Sequence, residues 1–480
     1  MSVVSARPAT PVALANQSTV ADFAMPAPKR RSWIRRLLRP VALPILRVWY
    51  RVTGHALQWQ IAEMRMVQED LLAALLALQQ QGRAAPSALL PRRRLVWVSS
   101  WQTRCGIAEY SRCLLAGVLQ SGPGWRTTVL RDQRPISPQI EGLAGVAARP
   151  GFALNDASSV QRLALGIMAE EADCVVIQHH AGLLDWHLLA ALLMHPALSA
   201  RRVVVELHNT LEIVSLAEPV QARLRPALQR ADRLLVHTPR DLALLRSLGI
   251  TTAHMLVHGC PPSRSLRVPR ALPPAASPLI GTTGFLMPHK GFQALIAAVA
   301  ELRAIWPAIR LRMVTSRHAS GMSEAEHIAC LNLAHRLGFN HHIDWQTGFA
   351  TQDQMIEALA PCDLLVLPYG DTQESCSGAA RQALSSAVPT LVSDQPIFDD
   401  LGDAVCRFAV SDASELAGEI EGWLQAPLLR AQLQQRQAAW CARHEWASTG
   451  EHVARILDQL VPADGRLSGD RLSGDASAAD

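Results

Sequence analysis

The sequence lacks the features of a secreted or membrane-spanning protein. Its nine cysteines are scattered singly, are odd in number and form no C-x-x-C pair, which favours a reducing compartment over a disulfide framework. No uncharged apolar run reaches about 18 residues. The N-terminal 30 residues show no cleavable signal. We therefore expect a cytoplasmic protein that does not cross a membrane.

The chain also has little excess charge. Its formal net charge is +5 over 480 residues, and residues 29–51 alone carry eight Lys and Arg without an acid. Outside that segment the chain is close to neutral, which argues against a surface that coats a nucleic acid. Nucleic acid is therefore not an expected partner.

The residues before position 93 predict an extension to a globular protein. Residues 1–28 are rich in Ala, Pro, Ser and Thr, which predicts disorder. In the basic, helical extension predicted at 29–91, residues 29–51 interleave arginines with Trp and Leu, which suits contact with an anionic membrane surface. A solvated basic linker is the alternative, because Pro40 and Pro44 would break a helix there. Residues 55–81 follow a heptad rhythm that suits a short coiled coil, and hence self-association, or packing between helices.

The rest of the chain alternates apolar strands with helices. This pattern predicts an α/β fold of two doubly wound, Rossmann-like domains. We expect an N-terminal domain at 93–260, a C-terminal domain at 279–445 and a final helix at 446–461. Between the domains, residues 261–278 hold six prolines, too many for a helix or a central strand, which indicates a hinge. Residues 462–480 contain RLSGD twice in tandem and are predicted to be a disordered tail.

Four predicted strands of the N-terminal domain end in histidine. The carboxyl ends of parallel strands meet at one edge of a sheet, where a ligand binds, so we expect these histidines to lie close together. A single histidine there is more often structural than catalytic, whereas four indicate a site. No acidic residue lies at metal-ligand spacing from them, so we expect no metal. The histidines are His179, His208, His237 and His258.

The C-terminal domain contains a strand–loop–helix–strand unit that predicts an anion site. An apolar strand at 363–368 leads into a polar loop, and a helix begins at Gly378. The amides at the start of a helix favour an anionic group such as a phosphate. In the loop, Glu374 could accept hydrogen bonds from hydroxyl groups beside Ser375 and Ser377. The alternative is that Glu374 and Ser375 merely cap a core helix.

The segment ESCSGAARQAL at 374–384 resembles the donor-binding signature of retaining glycosyltransferases of family 4, which have the two-domain GT-B fold. That signature has a Glu, a second Glu eight positions later and a Pro seven further on; here these are Glu374, Gln382 and Pro389. The resemblance implies that Glu374 faces the sugar. It also implies that Gln382 stands where the family binds the ribose hydroxyls, and an amide can still bond to hydroxyls.

Two further loops extend the resemblance. TRCGIAEYS at 103–111, with Gly106, is similar to the family's first loop, which faces the cleft. GFLMPHKG at 284–291 is similar to its diphosphate loop. Phe285 stands where the family often has a basic residue, so Lys290, with Arg381, would carry the charge. In the family, the loop that matches 207–210 lines the acceptor side. The site residues implied in the N-terminal domain are thus His208 as the first choice for catalysis, with His179 and Asn209 on the acceptor side.

The resemblance covers residues 95–460 and implies transfer of a hexosyl group from a nucleotide sugar to a glycan or lipid-linked acceptor, with retention. It suggests bacterial surface polysaccharide synthesis by an enzyme at the inner face of the membrane, with no metal or other cofactor. A second reading is a non-catalytic GT-B-like protein that binds a sugar nucleotide or scaffolds envelope assembly, which Phe285 and Gln382 favour. A third, a GT-B epimerase, would need a pair of acid/base carboxylates that the sequence does not show.

Overall fold

The computed structural model describes residues 93–122, 124–137, 140–270, 272–318, 321–348, 350–409 and 412–462, all within one unit, Leu89–Asp480. The predicted segments 1–28 and 29–91, with the proposed membrane and self-association segments inside the latter, lie outside the described residues. So does the predicted tail from residue 463 onward. Among the described residues, no helix is long and apolar enough to span a membrane.

The first domain is built on a seven-stranded parallel sheet. The strand order is β3-β2-β1-β4-β5-β6-β7, and β1 pairs on its two sides with β2 and β4, so that Val96 lies opposite Thr128 and Val175. Five helices connect the strands. The elements are β1 (Arg93–Ser99), α1 (Gly106–Ser121), β2 (Trp125–Asp132), β3 (Ala147–Phe152), α2 (Ser159–Ala169), β4 (Cys174–His179), α3 (Trp186–Leu193), β5 (Arg202–Leu207), α4 (Glu218–Gln229), β6 (Arg233–Val236), α5 (Pro239–Ser247) and β7 (Ala253–Met255).

The second domain repeats this plan with six parallel strands in the order β10-β9-β8-β11-β12-β13. The last helix of the described residues returns to the first domain. The elements are β8 (Leu279–Phe285), α6 (Phe292–Glu301), β9 (Arg310–Ser316), α7 (Gly321–Arg336), β10 (Ile343–Gln346), α8 (Gln352–Leu359), β11 (Leu364–Leu367), α9 (Gly378–Ser385), β12 (Thr390–Ser393), β13 (Cys406–Phe408), α10 (Ala413–Gln425), α11 (Pro427–Arg443) and α12 (Trp446–Leu460).

The central strands are buried on both faces, as their continuous apolar sequences predict. In β4, Val175 and Ile177 pack into one core while Cys174 and Val176 pack into the core on the opposite face. Successive side chains of a strand point to opposite faces, so helices must cover both sides of the sheet. This burial fixes the register and brings the carboxyl ends of the strands to one edge.

The chain crosses between the domains twice, and the two crossings lie side by side. At Cys260, the amide donates to the carbonyl of His444 at 2.9 Å, and the carbonyl of Cys260 accepts from the amide of Trp446 at 3.1 Å. Helix α12 then packs on α1, where Gly117 and Gly450 let the two backbones touch. The position of one domain against the other is therefore set by the backbone hydrogen bonds at Cys260 and by the packing of α12 on α1.

Candidate functional site

The strand order of each sheet defines where a ligand can bind. The order reverses between β1 and β4 in the first sheet and between β8 and β11 in the second. Open α/β sheets bind ligands beyond the carboxyl ends of the strands at such a switch point. In the second sheet, the loops at that point are residues 286–291 and 368–377, and they contain the predicted donor-binding residues.

Lys290 and Gly284 lie together at the switch point of the second sheet. The ammonium of Lys290 is 3.8 Å from the centre of the Tyr369 ring, a cation–π contact. Gly284 has φ +132°, and a Cβ there would lie 3.6 Å from both the Tyr369 hydroxyl oxygen and the Ala379 Cβ. The missing side chain leaves the backbone of β8 open to a close approach by a ligand. Lys290 is one of only two lysines in the chain, the other being Lys29.

The start of α9 faces the same region. Ser377 is the N-cap residue, and its hydroxyl accepts from the amide of Ala380 at 3.2 Å and bonds to the Tyr369 hydroxyl at 3.1 Å. The cap thus uses one amide of the first turn and leaves those of Gly378 and Ala379 directed out of the helix start. Free amides and the helix dipole together stabilise an anion. Ser377, Gly378 and Lys290 therefore form a cradle with positive potential.

The other residues of the loop have different environments. Glu374 is exposed. Burial and the charge of Lys290 lower the pKa of His289, and the charge of Glu374 partly opposes this shift. Gln382 is half-buried on the first turns of α9. Ser375 is buried, and its hydroxyl donates to Asp241 of the first domain at 3.0 Å. The side chain of Ser375 therefore joins the two domains, and only its backbone is left for a ligand.

Arg381 lies in the interior. Its side chain is 1% exposed, forms an ion pair with Asp400 and donates to the carbonyl of Ser377 at 2.9 Å. Burial lowers the pKa of this guanidinium. The expected direct contact of Arg381 with a diphosphate does not agree with this placement. The side chain supports the loop at 368–377 from behind, through the Ser377 carbonyl.

Gly106 begins α1 at the switch point of the first sheet. It is exposed, and a Cβ at this position would meet nothing within 4 Å. The preceding residue, Cys105, makes no side-chain cap, so the amides of the first turn are left to solvent or a ligand. The loop is thus open on the side of the strand ends, as its predicted place in a cleft requires.

Three of the four strand-end histidines of the first domain come together around Tyr110, whereas His179 packs against Trp186. The ring of Tyr110 lies edge-on to His208 at 4.7 Å, to His237 at 5.5 Å and to His258 at 4.7 Å between centroids. His258 follows β7 by three residues, and its Nε2 would lie 3.9 Å from a Cβ on Gly378. The cluster therefore extends from the floor of the first domain to the start of α9.

Hydrogen bonds link the cluster to a buried carboxylate. Nε2 of His208 lies 2.7 Å from Oε1 of Gln178, and its Nδ1 lies 3.2 Å from Nε2 of His237. The Gln178 amide lies 2.6 Å from Glu206, and the Tyr110 hydroxyl donates to Glu206. Both ring nitrogens of His208 are thus occupied. In this arrangement His208 cannot orient a sugar or an acceptor through either of them, contrary to its expected role.

Burial changes the titration of these groups. It raises the pKa of Glu206 to about 7, against the hydrogen bonds from Tyr110 and Gln178 that lower it. It lowers the pKa of His237 to about 4 and, with the neighbouring imidazoles, that of His208. Burial therefore disfavours the ionised forms of Glu206, His208 and His237.

The two residues predicted for the acceptor side lie apart from this chain of hydrogen bonds. The ring of His179 is buried and packs against Trp186, with 4.2 Å between centroids, and burial lowers its pKa to about 3. Asn209 is buried, and its Oδ1 has no hydrogen-bond partner among the described residues. No group of three or more His, Cys, Asp or Glu in the described ranges could hold a metal ion.

Sequence reasoning missed Tyr110, Gln178, Glu206 and Asp241. A signal was present for two of them, since Gln178 and Glu206 are polar residues inside otherwise apolar strands. A polar side chain buried in a parallel strand must find a partner. Asp241 had a different signal, because it follows Thr238 at the spacing of a capping box, which predicts a helix start. Tyr110 had none, because nothing around it in the sequence distinguishes a buried helix tyrosine from an exposed one.

Comparison with solved structures defines the class of fold. HepE of Anabaena in complex with UDP matches with a TM-score of 0.58 at 14% identity, covering 77% of this chain and 100% of that one. Sucrose-phosphate synthase of Thermosynechococcus elongatus gives 0.58 at 16% identity, with coverage of 77% and 99%. A glycosyltransferase of Rickettsia africae gives 0.59 at 10% identity, with coverage of 78% and 99%. The fold is GT-B, and the predicted fold class is confirmed.

The sequence comparison is specific to the second domain. Residues 277–426 match the family model described as "Glycosyl transferases group 1". This range contains Lys290, Glu374 and the start of α9. No curated protein was found that matches the chain.

Proposed function

We propose that this protein is a retaining glycosyltransferase that moves a hexosyl group from a nucleoside-diphosphate sugar to a glycan or glycolipid acceptor. The observation that carries the proposal is the convergence of Lys290, the side-chain-free Gly284 and the open start of α9 at the switch point of the second sheet. A cation, an accessible backbone and free helix amides are the features that recognise a diphosphate.

The cradle supplies electrostatic catalysis. When the bond between the anomeric carbon and the diphosphate breaks, negative charge develops on the departing phosphate oxygen. The ammonium of Lys290 and the amides of Gly378 and Ala379 stabilise that charge and need no rearrangement as it forms. In this proposal no metal takes part, and no other cofactor is required.

Glu374 and Gln382 recognise the two sugars of the donor. Glu374 is exposed in the loop beside the cradle, where its carboxylate accepts hydrogen bonds from hydroxyls of the transferred hexose. Gln382, half-buried on α9, bonds to the ribose hydroxyls. HepE was solved with UDP and with UDP-glucose, which supports uridine donors as the first to be tried here.

We further propose that the acceptor belongs to surface polysaccharide synthesis and is lipid-linked or a growing glycan. The basic, Trp-containing residues 29–51 would hold the enzyme at the anionic inner face of the membrane. The test is flotation with anionic vesicles, comparing the full chain with one that lacks 29–51. Equal binding of the two proteins would refute the membrane contact and leave the transferase proposal intact.

One alternative has its own support. Gln382 replaces a carboxylate of the family signature, and Phe285 contacts the His318 ring at 5.6 Å between centroids where the family often has a basic residue. Together with the occupied nitrogens of His208, these features favour a protein that binds a sugar nucleotide without turning it over and scaffolds envelope assembly. Turnover distinguishes the two functions.

The experiment is a screen of UDP-, GDP-, ADP- and dTDP-sugars for thermal stabilisation and for release of the nucleoside diphosphate. We expect one donor to stabilise and be hydrolysed slowly, with turnover lost in Glu374→Ala and binding weakened in Lys290→Ala. Lys290→Arg keeps the charge and serves as the matched control. Binding without turnover would favour the non-catalytic protein, whereas no binding by any donor would count against the transferase and favour the scaffold.

The scarcity of lysine gives a direct test of where the donor binds. Lys29 and Lys290 are the only lysine side chains, so an amine-reactive reagent labels few positions. We expect a bound nucleotide sugar to protect Lys290 and to leave labelling of Lys29 unchanged, as read by peptide mass spectrometry. Equal labelling of Lys290 with and without a donor that binds would contradict the proposed cradle.

A further inference from the structure

The floor of the cleft contains a carboxylate without a cation. Glu206 is fully buried, and within 4.0 Å it has no Lys or Arg among the described residues. Its neighbours are the Tyr110 hydroxyl, the Gln178 amide and, at 3.8 Å, Nε2 of His237. An isolated buried carboxylate is costly, so its charge must be removed or balanced.

The hydrogen bonds allow the protons to be counted. At one end, Nδ1 of His237 faces the carbonyl of Leu256 at 3.1 Å and must donate to it. If His237 is neutral, its Nε2 is an acceptor, and Nδ1 of His208 must donate across the 3.2 Å contact. A neutral His208 then has a lone pair on Nε2, which needs a donor from Gln178.

The amide of Gln178 can meet its two contacts in either orientation. If its oxygen faces His208, either His208 or His237 must be doubly protonated, while Glu206 stays ionised. If its nitrogen faces His208, its oxygen faces Glu206 at 2.6 Å, and Glu206 must be protonated. Every arrangement that satisfies all these hydrogen bonds therefore contains one proton more than an ionised Glu206 with neutral His208 and His237. Burial favours the arrangement without separated charges.

We propose that Glu206 is kept as a neutral carboxylic acid that donates to Gln178, which donates to His208, which donates to His237, and that this proton keeps negative charge away from the donor site. All hydrogen bonds of the chain then run in one direction, from Glu206 to the Leu256 carbonyl. Glu206 acts as a positioning residue. It orders His208 and leaves the cleft floor neutral beneath an anionic donor.

The other charged and titratable groups around this chain of hydrogen bonds do not supply the charge that this proton supplies. Arg381 is paired with Asp400, and Asp241 accepts from Thr210, Thr238 and Ser375. Burial raises the pKa of Tyr110 and Cys376 and lowers the pKa of His179 and His258, which favours the neutral form of each. The groups that face the chain from the elements packed on it are Tyr110 from α1, His179 and His180 after β4, Asp241 from α5, His258 after β7, and Cys376 and Arg381 from the second domain.

Loss of the proton has two consequences. Glu206 becomes a buried anion, and lone pairs then face each other across the 2.6 Å contact between Glu206 and Gln178. If the Gln178 amide turns over, the same conflict moves to its 2.7 Å contact with His208. The new charge would act on the loop at 368–377, since an ionised Glu206 raises the pKa of Cys376 in that loop. The consequence for donor binding rests on the proposed function, whereas the retained proton does not.

The sign of the pH dependence follows from linkage. The pKa of Glu206 is raised from 4.5 to about 7, so the native state binds this proton more tightly than the unfolded chain. The stability it provides is fully present below pH 4.5 and is lost as the pH rises towards about 7. Donor affinity should then fall as the pH rises through about 7, on the order of tenfold, because an ionised Glu206 repels an anionic donor.

The test compares the full-length protein with Glu206→Gln, whose amide has the shape of the neutral acid. UDP-glucose is the probe, because its diphosphate diester does not titrate near neutral pH. We expect wild-type affinity to fall about tenfold between pH 6 and 8.5, and the affinity of Glu206→Gln to change little. Glu326→Gln, at a buried carboxylate of the second domain, is the control and should keep the wild-type profile. An unchanged alkaline loss in Glu206→Gln would overturn the proposal.

A second readout does not depend on binding or on the variant's stability. Infrared difference spectra of the wild-type protein at pH 5.5 and 9 should show the C=O band of a buried carboxylic acid that disappears at high pH. Glu206→Gln should lack this band, and Glu326→Gln should keep it. Absence of the band from the wild type would show that Glu206 does not retain a proton and would overturn the proposal. A band in a protein that does not bind UDP-glucose would support the retained proton and contradict only the proposed donor.

Discussion

The hydroxyl of Ser375 donates to the carboxylate of Asp241 at 3.0 Å, joining the donor loop of the second domain to the first turn of α5 in the first. Asp241 also accepts from Thr210 and caps its own helix with Thr238. A carboxylate that already organises the first domain thus fixes the loop that carries Glu374. The relative position of the domains and the shape of the donor site are therefore coupled at one hydrogen bond.

We predict that Ser375→Ala loosens this coupling. Removal of a hydrogen bond to a buried carboxylate should lower the free energy of unfolding by about 1.5–3 kcal/mol and weaken donor binding. Chemical denaturation and calorimetric titration measure the two effects. Ser386→Ala is the matched control, because its buried hydroxyl bonds only within its own domain, to Ala383. Equal loss of donor affinity in both variants would show that Ser375 acts through stability alone.

The second prediction concerns Arg381. Because it is paired with Asp400 in the interior, Arg381→Ala leaves an uncompensated buried charge and should cost about 3–5 kcal/mol of folding free energy. The double variant Arg381→Met with Asp400→Leu removes both charges and should recover much of that loss. Denaturation curves of the single and double variants test this. If the double variant is stable but has lost donor binding entirely, Arg381 serves the donor site beyond its ion pair with Asp400, through the Ser377 carbonyl or by direct contact.

The fold was predictable because its physical cause is local. Strands buried on both faces contain continuous apolar runs, and β4 and β5 show this at 174–177 and 203–205. The histidines at strand ends could be placed for the same reason, since parallel strands end at one edge. Both inferences need only the pattern of neighbouring residues.

The roles of individual side chains were less predictable because their partners are distant in sequence. Whether Arg381 faces the loop or the core depends on Asp400, and whether Ser375 is free depends on Asp241, 134 positions earlier. The ring nitrogens of His208 are occupied because Gln178 and His237 come from neighbouring strands. These contacts follow from tertiary structure, which no short motif encodes.

The third prediction restores the family signature. Gln382→Glu places a carboxylate at the half-buried position expected to bind ribose, and hydrogen bonds to a carboxylate are about twice as strong as those to an amide. We expect affinity for the preferred nucleotide sugar to rise up to about tenfold, and affinity for the same donor with 2′-deoxyribose to rise less. Titration of both donors measures the difference. An equal change for the two would place Gln382 away from the ribose.

The fourth prediction tests how α12 holds the first domain. A Cβ on Gly117 would lie 2.4 Å from the carbonyl oxygen of Trp446, and one on Gly450 would lie 2.3 Å from the backbone of Gly117. Backbone cannot move aside as a flexible side chain can, so each alanine must push the two helices apart. We expect Gly117→Ala or Gly450→Ala to cost about 1–3 kcal/mol or more of folding free energy.

Gly418 provides the matched control for the helix contact. It lies inside α10, and a Cβ there meets nothing within 4 Å. Gly418→Ala should therefore stabilise the protein by about 0.5–1 kcal/mol, because alanine has less backbone freedom to lose. The opposite signs of Gly450→Ala and Gly418→Ala separate close packing from helix propensity. If Gly450→Ala is also stabilising, α12 does not pack directly on α1, and the domain is braced only by the paired backbone at Cys260.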